Sequence, residues 1–276
     1  MAQASGFRIN TNVGALNAYN ALSDISRQMG TYQLRLASGK RINSAADDPA
    51  GFTIARKLQA RSRGIAQALN NAGDAKSVLS TAEGGLQNIS DILVTVKEKV
   101  TQATNGSLSG TELNAIVTQV TDFAKEIDSI IGQTKFNGQQ LLNNSFTNKT
   151  FQVGADSADT LTFGLAATID SADLGINSLT TVNIGSATTL SSVDTAIDKI
   201  STELQGVGSL IARLDFKESN LSVQMTNMDA ASSRIFDADM AQEQMNLTKL
   251  NILQQTAVAQ LTQANSAPNV VLSLFR

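Results

Sequence analysis

The most regular feature of the chain is a set of apolar residues spaced alternately by three and four positions. The longest run has twelve consecutive matches to the spacing of a coiled-coil seam. Its members are Ile65, Ala68, Ala72, Ala75, Leu79, Ala82, Leu86, Ile89, Leu93, Val96, Val100 and Ala103. Extending the spacing backwards reaches Leu58 and Ile54, with Arg61 as the polar exception. The run predicts one helix from about Pro49 to Ala103, roughly 80 Å long at the standard rise, which must lie against other long helices.

Two further seams follow along the chain. After the Asn105-Gly106 break, the second seam consists of Leu113, Ile116, Val120, Phe123, Ile127 and Ile130. Ser109 and Glu112 precede it with the spacing of a capping box, and the short polar turn predicts an antiparallel pair of helices. The third seam begins at about Ser192 and consists of Ile197, Ile200, Leu204, Val207, Ile211, Leu214, Leu221, Met225, Met228 and Ile235.

The two prolines of the chain, Pro49 and Pro268, are predicted to mark helix ends. Asp48 is placed to cap the first helical turn, and Pro49 suits the first helical position, where its missing N–H costs nothing. Asp47 adds negative charge at the positive end of the helix dipole. A catalytic or metal-binding use of the two carboxylates is the alternative, but capping accounts for both. Pro268 predicts where the last helix stops.

The two ends of the chain carry matching apolar stripes in otherwise polar segments. The N-terminal stripe is Ala15, Ala18, Leu22, Ile25, Met29, Tyr32 and Leu36, and the C-terminal stripe is Leu247, Leu250, Ala257, Leu261 and Ala264. Helices of this kind are marginal in water without a packing partner. We therefore expect the two terminal segments to pair with each other or with other copies of the chain.

The helical period disappears between residues 136 and 190. Residues 150–153 and 160–163 alternate between polar and apolar around a turn at residues 154–159, which predicts a small β-hairpin. The fold class predicted from all these patterns is mainly α. It is a long antiparallel helical bundle or coiled-coil rod with a small β-hairpin region, plus paired N- and C-terminal helices.

The composition excludes several classes of protein. Of 276 residues none is Cys, His or Trp, so a disulfide framework, a thiolate or histidine metal site and a Ser-His-Asp relay are excluded. We therefore predict that the chain is not an enzyme and has no catalytic, cofactor-binding or metal site. A membrane protein or pore former with amphipathic helices would require interfacial faces with Trp or rich in Lys, and the chain has no Trp, so membrane insertion is not predicted.

Charge is distributed unevenly along the chain. Residues 1–63 contain nine Lys or Arg and three Asp or Glu, whereas the chain as a whole has a net charge of −3. Nucleic-acid binding would require interleaved aromatic residues and an overall basic domain, so it is not predicted. Docking of the basic segment of one subunit on the acidic remainder of another explains the distribution better.

Several motifs resemble those of bacterial flagellins. Residues 38–51 read Ser-Gly-Lys-Arg-Ile-Asn-Ser-Ala-Ala-Asp-Asp-Pro-Ala-Gly, and residues 132–138 read Gly-Gln-Thr-Lys-Phe-Asn-Gly. The start at residues 7–13, the Phe-Gln-Val-Gly at 151–154 and the ending at 271–276 are also similar to that family. The resemblance covers nearly everything except residues 156–190, and it indicates a short form without the variable outer domains.

The resemblance implies a structural subunit that polymerises into the extracellular filament of the bacterial flagellum, the helical propeller for swimming. It implies type III export of the unfolded chain, assembly at the filament tip and folding of the terminal helices on assembly. Implied partners are other copies, the export apparatus, an export chaperone at the C-terminal helix, the filament cap and hook-junction proteins. A hook–filament junction protein of the same architecture is the alternative.

The implied domain organisation places an inner tube around both chain ends. Residues 1–40 and 237–276 form the N- and C-terminal inner-tube helices, and residues 41–48 a connecting spoke. Residues 49–190 form the N-terminal part of a rod domain, with two helices and the β-hairpin region, and residues 191–236 its C-terminal helix. Inner-tube assembly is assigned to Ala15, Leu22, Ile25, Met29, Tyr32, Leu36, Leu247, Leu250, Ala257, Leu261 and Ala264. The rod core is assigned to Ile65, Leu79, Leu86, Ile89, Leu93, Val96, Leu113, Ile116, Val120, Phe123, Ile127, Ile200, Leu204, Val207 and Ile211.

The resemblance also bears on detection by animal hosts. Many flagellins are detected by a Toll-like receptor through an Arg and a Leu on the first rod helix and a Glu on the second. Thr95, Lys99 and Gln119 stand at those positions here, and none of them matches. Weak or no receptor activation is therefore expected.

Overall fold

The computed structural model describes residues 11–165, 169–176 and 183–273 and is built mainly from helices. The described helices are α1 (Val13–Ser38), α2 (Pro49–Ala103), α3 (Gly110–Gln133), α4 (Ala187–Phe236) and α5 (Met240–Ser273). The strands are β1 (Lys135–Phe136), β2 (Gln139–Gln140), β3 (Lys149–Gln152) and β4 (Thr160–Phe163). This confirms the predicted fold class, a mainly helical chain with a small β region.

The chain divides into two compact units. The first unit is drawn from residues 1–60 and 228–276, and the second consists of residues 61–227. Both of the predicted inner-tube segments fall within the first unit, and helices α2 and α4 contribute residues to both units.

The core of the second unit is the α2 seam packed against α3, α4 and the strand region. All twelve seam residues from Ile65 to Ala103 are buried, with at most 6% of any of them exposed. Side chains of α3 and α4 that are fully or nearly fully buried complete this core, among them Ile116, Val120, Ile127, Val193, Ile200, Val207 and Leu214. The three-and-four spacing therefore identified the buried face of α2 correctly over this stretch.

The backward extension of that seam was wrong at Ile54, whereas Leu58 is half-buried. Ile54 is 51% exposed, while its neighbour Ala55 is fully buried. Ala55 packs with Ile42 and Phe236 in a small core that belongs to the first unit. The buried face of α2 is thus different in the first unit, because the segments available to pack against it there are different.

Two antiparallel hairpins lie between α3 and α4. In the predicted hairpin, Thr150 faces Thr162 and Phe151 faces Leu161, and the rings of Phe151 and Phe163 stack at 4.9 Å. The second hairpin, β1–β2, was not predicted. Its turn is Asn137-Gly138, in which both residues have positive φ (48° and 78°). An Asn-Gly pair is the strongest short-range signal for this turn, so the sequence did contain the information.

The ends of the predicted helices follow the expected chemistry in part. Asp48 accepts a hydrogen bond from the Gly51 N–H at 2.9 Å and so caps α2. The carboxylate of Asp47 instead accepts from the N–H groups of Asn43 and Ser44, at 2.9 and 2.8 Å, and holds the turn before the helix.

The expected helix stop at Pro268 was wrong, because the backbone of α5 remains helical to Ser273. A proline removes one backbone donor from a helix, but the hydrogen bonds of the flanking residues are still available.

Candidate assembly interface

Helices α1 and α5 form a closely packed pair, and local signals mark both ends of α1 and the start of α5. Asn12 accepts from the Ala15 N–H at 3.0 Å and caps α1, which ends at Gly39 in the left-handed conformation (φ 68°). Asp239 accepts from the N–H groups of Ala241 and Gln242, at 3.0 and 3.2 Å, at the start of α5. Side-chain caps thus start both helices, and a left-handed glycine ends α1.

The eleven residues assigned to inner-tube assembly lie on the sheltered faces of these two helices. Leu250 and Ala257 are buried, and the other nine are half-buried. No described residue of α1 reaches full burial. The contact between the helices therefore shelters one apolar stripe from each without enclosing it in a deep core.

Hydrogen bonds show that the pair is antiparallel. At one end, the Asn12 side-chain amide donates to the Ala264 carbonyl at 2.7 Å. At the other end, the Ala238 N–H donates to the Gly39 carbonyl at 3.0 Å, next to an isolated β-bridge between Lys40 and Asp237. The two chain segments thus run alongside each other from the start of α1 to the turn that follows it.

A second set of large apolar side chains on the same two helices is exposed. Its members are Val13, Leu16, Tyr19 and Leu34 of α1 and Met240, Met245, Ile252, Leu253 and Val258 of α5. Tyr19 is 61% exposed, Ile252 60% and Met245 65%. We call these nine residues the open apolar face. Sequence reasoning missed it, although apolar residues outside the stripe spacing were visible in both segments.

The segments that follow α1 and α4 meet in a small junction within the first unit. The Arg41 N–H donates to the Phe236 carbonyl at 2.6 Å, and the Arg41 guanidinium donates to the Ile235 carbonyl at 2.9 Å. Beneath these bonds, Phe52 packs edge-on against Phe236 at 6.0 Å. The Lys40 ammonium lies 5.6 Å from the centre of the Phe236 ring, so one of the basic groups of the N-terminal segment makes a cation–π contact within the first unit.

One ion pair lies inside the α1–α5 contact. Arg35 Nη1 is 3.7 Å from Glu243 Oε1, and the two side chains are 25% and 10% exposed. Arg35 Nε and Glu243 Oε2 are buried without a hydrogen-bond partner among the described residues. The Arg35 guanidinium also lies 5.7 Å from the centre of the Tyr32 ring. A charge pair at this depth is uncommon in a seam of apolar stripes.

The fifteen residues assigned to the rod core lie in the second unit. Eleven of them are buried, and Leu113, Phe123, Leu204 and Ile211 are half-buried. Two exposed ion pairs also join α2 to α4 in this unit, Lys76 with Asp215 and Lys97 with Asp194. The hydrogen bond and charge of Asp215 raise the pKa of Lys76 above its ordinary value.

The three receptor-position residues also lie in the second unit. Thr95 and Lys99 on α2 are half-buried, and Gln119 on α3 is exposed. Lys99 and Gln119 line one open depression between the two helices, together with Leu108 and Glu112. The structure thus brings two of the three positions together.

Neither a metal site nor a membrane-spanning helix is found in the described parts of the chain. Residues 11–165, 169–176 and 183–273 contain no cluster of three or more acidic side chains suited to a metal ion. Over the same ranges, every helix is too short or too polar to cross a membrane.

Comparison with known proteins gave consistent matches over both halves of the chain. The family model of the bacterial flagellin N-terminal helical region matches residues 9–147, and that of the C-terminal helical region matches residues 190–275. A flagellin of Halalkalibacterium halodurans is 34% identical, over 97% of this chain and 99% of its own length. A flagellin of Bacillus subtilis is 36% identical, over 98% of this chain and 100% of its own. A solved structure from Vibrio parahaemolyticus, described as a flagellar hook-associated protein, covers 69% of this chain with a TM-score of 0.57 and 19% identity, which shows a likeness of fold.

Proposed function

Because the chain belongs to the bacterial flagellin family and is a structural subunit of the extracellular flagellar filament, we propose that copies polymerise through its paired terminal helices. The observation that carries this proposal is the open apolar face of α1 and α5. Nine large apolar side chains, from Val13 to Val258, are between 40% and 65% exposed on two helices that already shelter another stripe. Large exposed apolar side chains in this number on one pair of helices mark a candidate protein–protein contact.

Folding of the terminal helices is coupled to assembly in this proposal. Helix α1 has no fully buried residue among those described, whereas the second unit encloses a large apolar core of its own. Ordering the backbone costs roughly 1–2 kcal/mol per residue, and a half-sheltered stripe offsets little of that cost. Contacts with neighbouring subunits bury the open apolar face and offset the remaining entropy cost. Contacts between subunits that do not close into a ring generate open filaments.

Export of the unfolded chain is part of the same proposal. A chain without cysteine cannot be blocked in a narrow conduit by a disulfide crosslink. An export chaperone would hold α5 through the exposed side chains of Met245, Ile252 and Val258 before assembly. The export apparatus and the filament cap complete the set of proposed partners.

Truncation tests the role of the terminal helices. Removal of residues 1–38 or 240–276 is expected to leave a soluble and folded second unit that does not polymerise, because each deletion removes one helix of the pair with its part of the open apolar face while the larger core is intact. Circular dichroism measures the folding and electron microscopy the filaments. Filaments formed by either truncated chain would refute the proposed role of these helices.

Self-polymerisation distinguishes the filament subunit from the hook–filament junction protein of the same architecture. The purified full chain is expected to form long filaments when seeded with short filament fragments, whereas a junction protein would stop after a limited number of subunits. Filament length by electron microscopy is the measurement.

Weak activation of the animal Toll-like receptor is proposed from Thr95, Lys99 and Gln119. Each differs in charge or polarity from the residue expected at its position, and Lys99 and Gln119 lie beside one depression. A receptor reporter assay with purified monomer tests this, and the triple variant T95R/K99L/Q119E should signal more strongly than the natural chain. Strong signalling by the natural chain would contradict the proposal.

A further inference from the structure

The apolar stripes between α1 and α5 do not by themselves define how the two helices align. Apolar residues recur in both stripes at intervals of three, four or seven positions, so a slip of one heptad again places apolar residues opposite apolar residues. The sheltering of these residues is also partial, since nine of the eleven assembly residues are half-buried. The alignment must therefore be selected by other contacts.

The polar contacts along the pair all agree on one alignment. Asn12 contacts Ala264, Arg35 contacts Glu243 and Arg41 contacts Phe236. In every pair the two residue numbers add up to a value from 276 to 278, as expected for antiparallel segments held in one register. Of these contacts, that between Arg35 and Glu243 is the one made by two side chains of opposite charge inside the seam.

Each of these two charges is also placed favourably on its own helix. Arg35 lies in the last turn of α1 and Glu243 in the first turn of α5, where the helix dipoles favour a positive and a negative charge respectively. After a slip of one heptad, Arg35 would lie opposite Phe236 or Leu250, and Glu243 opposite Gln28 or Ile42, so neither charge would have an oppositely charged partner. Because a buried charge without a partner is strongly unfavourable, the ion pair penalises a slip of one heptad in either direction.

We propose that Arg35 and Glu243 form a register lock, which selects the single alignment of α1 against α5 that subunits adopt in the filament. The pair thus acts as a specificity device, and the apolar stripe supplies most of the contact area. This inference rests on the proposed role of the terminal helices in assembly. The role of the register lock is distinct from that of the open apolar face. The open apolar face binds other subunits, whereas the lock fixes the alignment of the two helices that carry that face.

Distances between spin labels in filaments test the lock. The chain has no cysteine, so S26C on α1 and N251C on α5, both exposed sites, give two defined label positions. Labelled chains are diluted into unlabelled natural chain before polymerisation, so that distances within one subunit dominate. The two sites lie opposite each other in the observed register, so a slip of one heptad, about 10 Å along the helix axes, lengthens the distance between the labels that pulsed electron paramagnetic resonance measures.

The informative variant replaces both charges by apolar side chains of similar size. R35M/E243L keeps the seam packed, and we expect several label distances in place of the single distance of the natural chain. The charge-swapped R35E/E243R is expected to restore the single distance. The pair Asp24 and Arg27, on α1 and exposed, supplies the control, since D24A/R27A should leave the distance unchanged. A single natural distance in R35M/E243L would overturn the lock.

If R35M/E243L does not enter filaments, the incorporation of charge-reversed variants tests the lock. Each single reversal, R35E or E243R, places two like charges together and should lower incorporation at least tenfold, while the swapped pair should recover most of it. A swapped pair that incorporates no better than the single reversals would also overturn the lock. Failure of the natural chain to polymerise would instead contradict the proposed role of the terminal helices, so the two failures are distinguishable.

Discussion

At the scale of single residues, two adjacent glycines in α2, Gly84 and Gly85, have opposite surroundings. A Cβ at Gly84 would meet nothing within 4 Å, whereas one at Gly85 would lie 2.7 Å from Thr134 Oγ1 and 3.1 Å from Leu142 Cδ1. Thr134 is not free to move, because its hydroxyl donates to the Ile130 carbonyl at 2.7 Å. Gly85 therefore permits α2 to approach the end of α3 closely, and Gly84 has no such role.

Alanine at these two sites should consequently change stability in opposite directions. Gly84→Ala is expected to raise the free energy of unfolding by about 0.5–1 kcal/mol, since alanine lowers the backbone entropy lost in a helix. Gly85→Ala is expected to lower it by roughly 1–3 kcal/mol through overpacking. Urea unfolding followed by circular dichroism measures both, and each variant is the matched control of the other. Equal effects would show that the close approach at Gly85 is not a constraint.

The Asp47 carboxylate should make the turn before α2 sensitive to acid. The N–H groups of Ser44 and Asn43 hold the pKa of Asp47 below its ordinary value of 3.8. A lowered pKa in the folded state means that the stabilisation is present above the ordinary pKa and is lost as the pH falls through the lowered one. Asp47→Ala should thus lower the melting temperature at pH 7, with a smaller difference from the natural chain at pH 3.

Thermal unfolding by circular dichroism at the two pH values checks the effect of Asp47. Asp91→Ala, at an exposed position on α2, is the control for the removal of one carboxylate from the chain. If the melting temperatures of Asp47→Ala and the natural chain differ by the same amount at pH 7 and at pH 3, the proposed role of the turn is refuted.

At the scale of helices, the buried and exposed faces of α2 predict a steep contrast between near neighbours. Ile89 is fully buried in the seam, while Val94 on the same helix is 47% exposed. Ile89→Ala should cost about 2–5 kcal/mol, the usual range for removing a buried aliphatic side chain. Val94→Ala should change stability by less than about 0.5 kcal/mol. Urea unfolding compares the two variants, and similar losses at both positions would contradict the assigned seam.

Periodicity predicted the long helices well because one face of each is buried along much of its length. It located twelve buried α2 residues from Ile65 to Ala103, although it missed the buried Val78, and it marked the β3–β4 hairpin by alternation. It was wrong at Ile54, where a different set of neighbours selects another face of the same helix. A repeat within one segment carries no information on which other segment will pack against it.

The candidate assembly interface was predictable only in part for the same reason. The stripes of α1 and α5 follow from their spacing, but the ion pair of Arg35 and Glu243 joins residues that lie far apart in the chain. The dipole of its own helix accounts for the position of each charge, so no pattern within either segment indicates that Arg35 and Glu243 meet. The open apolar face was missed because residues such as Tyr19 and Met245 depart from the stripe spacing.

At the scale of the whole molecule, the two units should differ in local stability before assembly. The second unit encloses the large core, while the first contains the small Ile42, Ala55 and Phe236 cluster and the half-buried α1–α5 contact. Backbone amides in elements with few buried contacts open more readily and exchange faster with solvent. In the monomer, amides of α1 and α5 should therefore exchange faster than those of α2 between residues 65 and 103.

Polymerisation should reverse that order for the terminal helices. When neighbouring subunits cover the open apolar face, opening α1 or α5 also requires breaking contacts between subunits, so their exchange should slow by at least tenfold. Amides of α2 between residues 65 and 103 serve as the internal control, because their core is complete in the monomer and their exchange should change little. Hydrogen exchange followed by mass spectrometry on monomer and filament makes the comparison. If α1 and α5 are already as protected as α2 in the monomer, folding of the terminal helices precedes assembly and is not coupled to it.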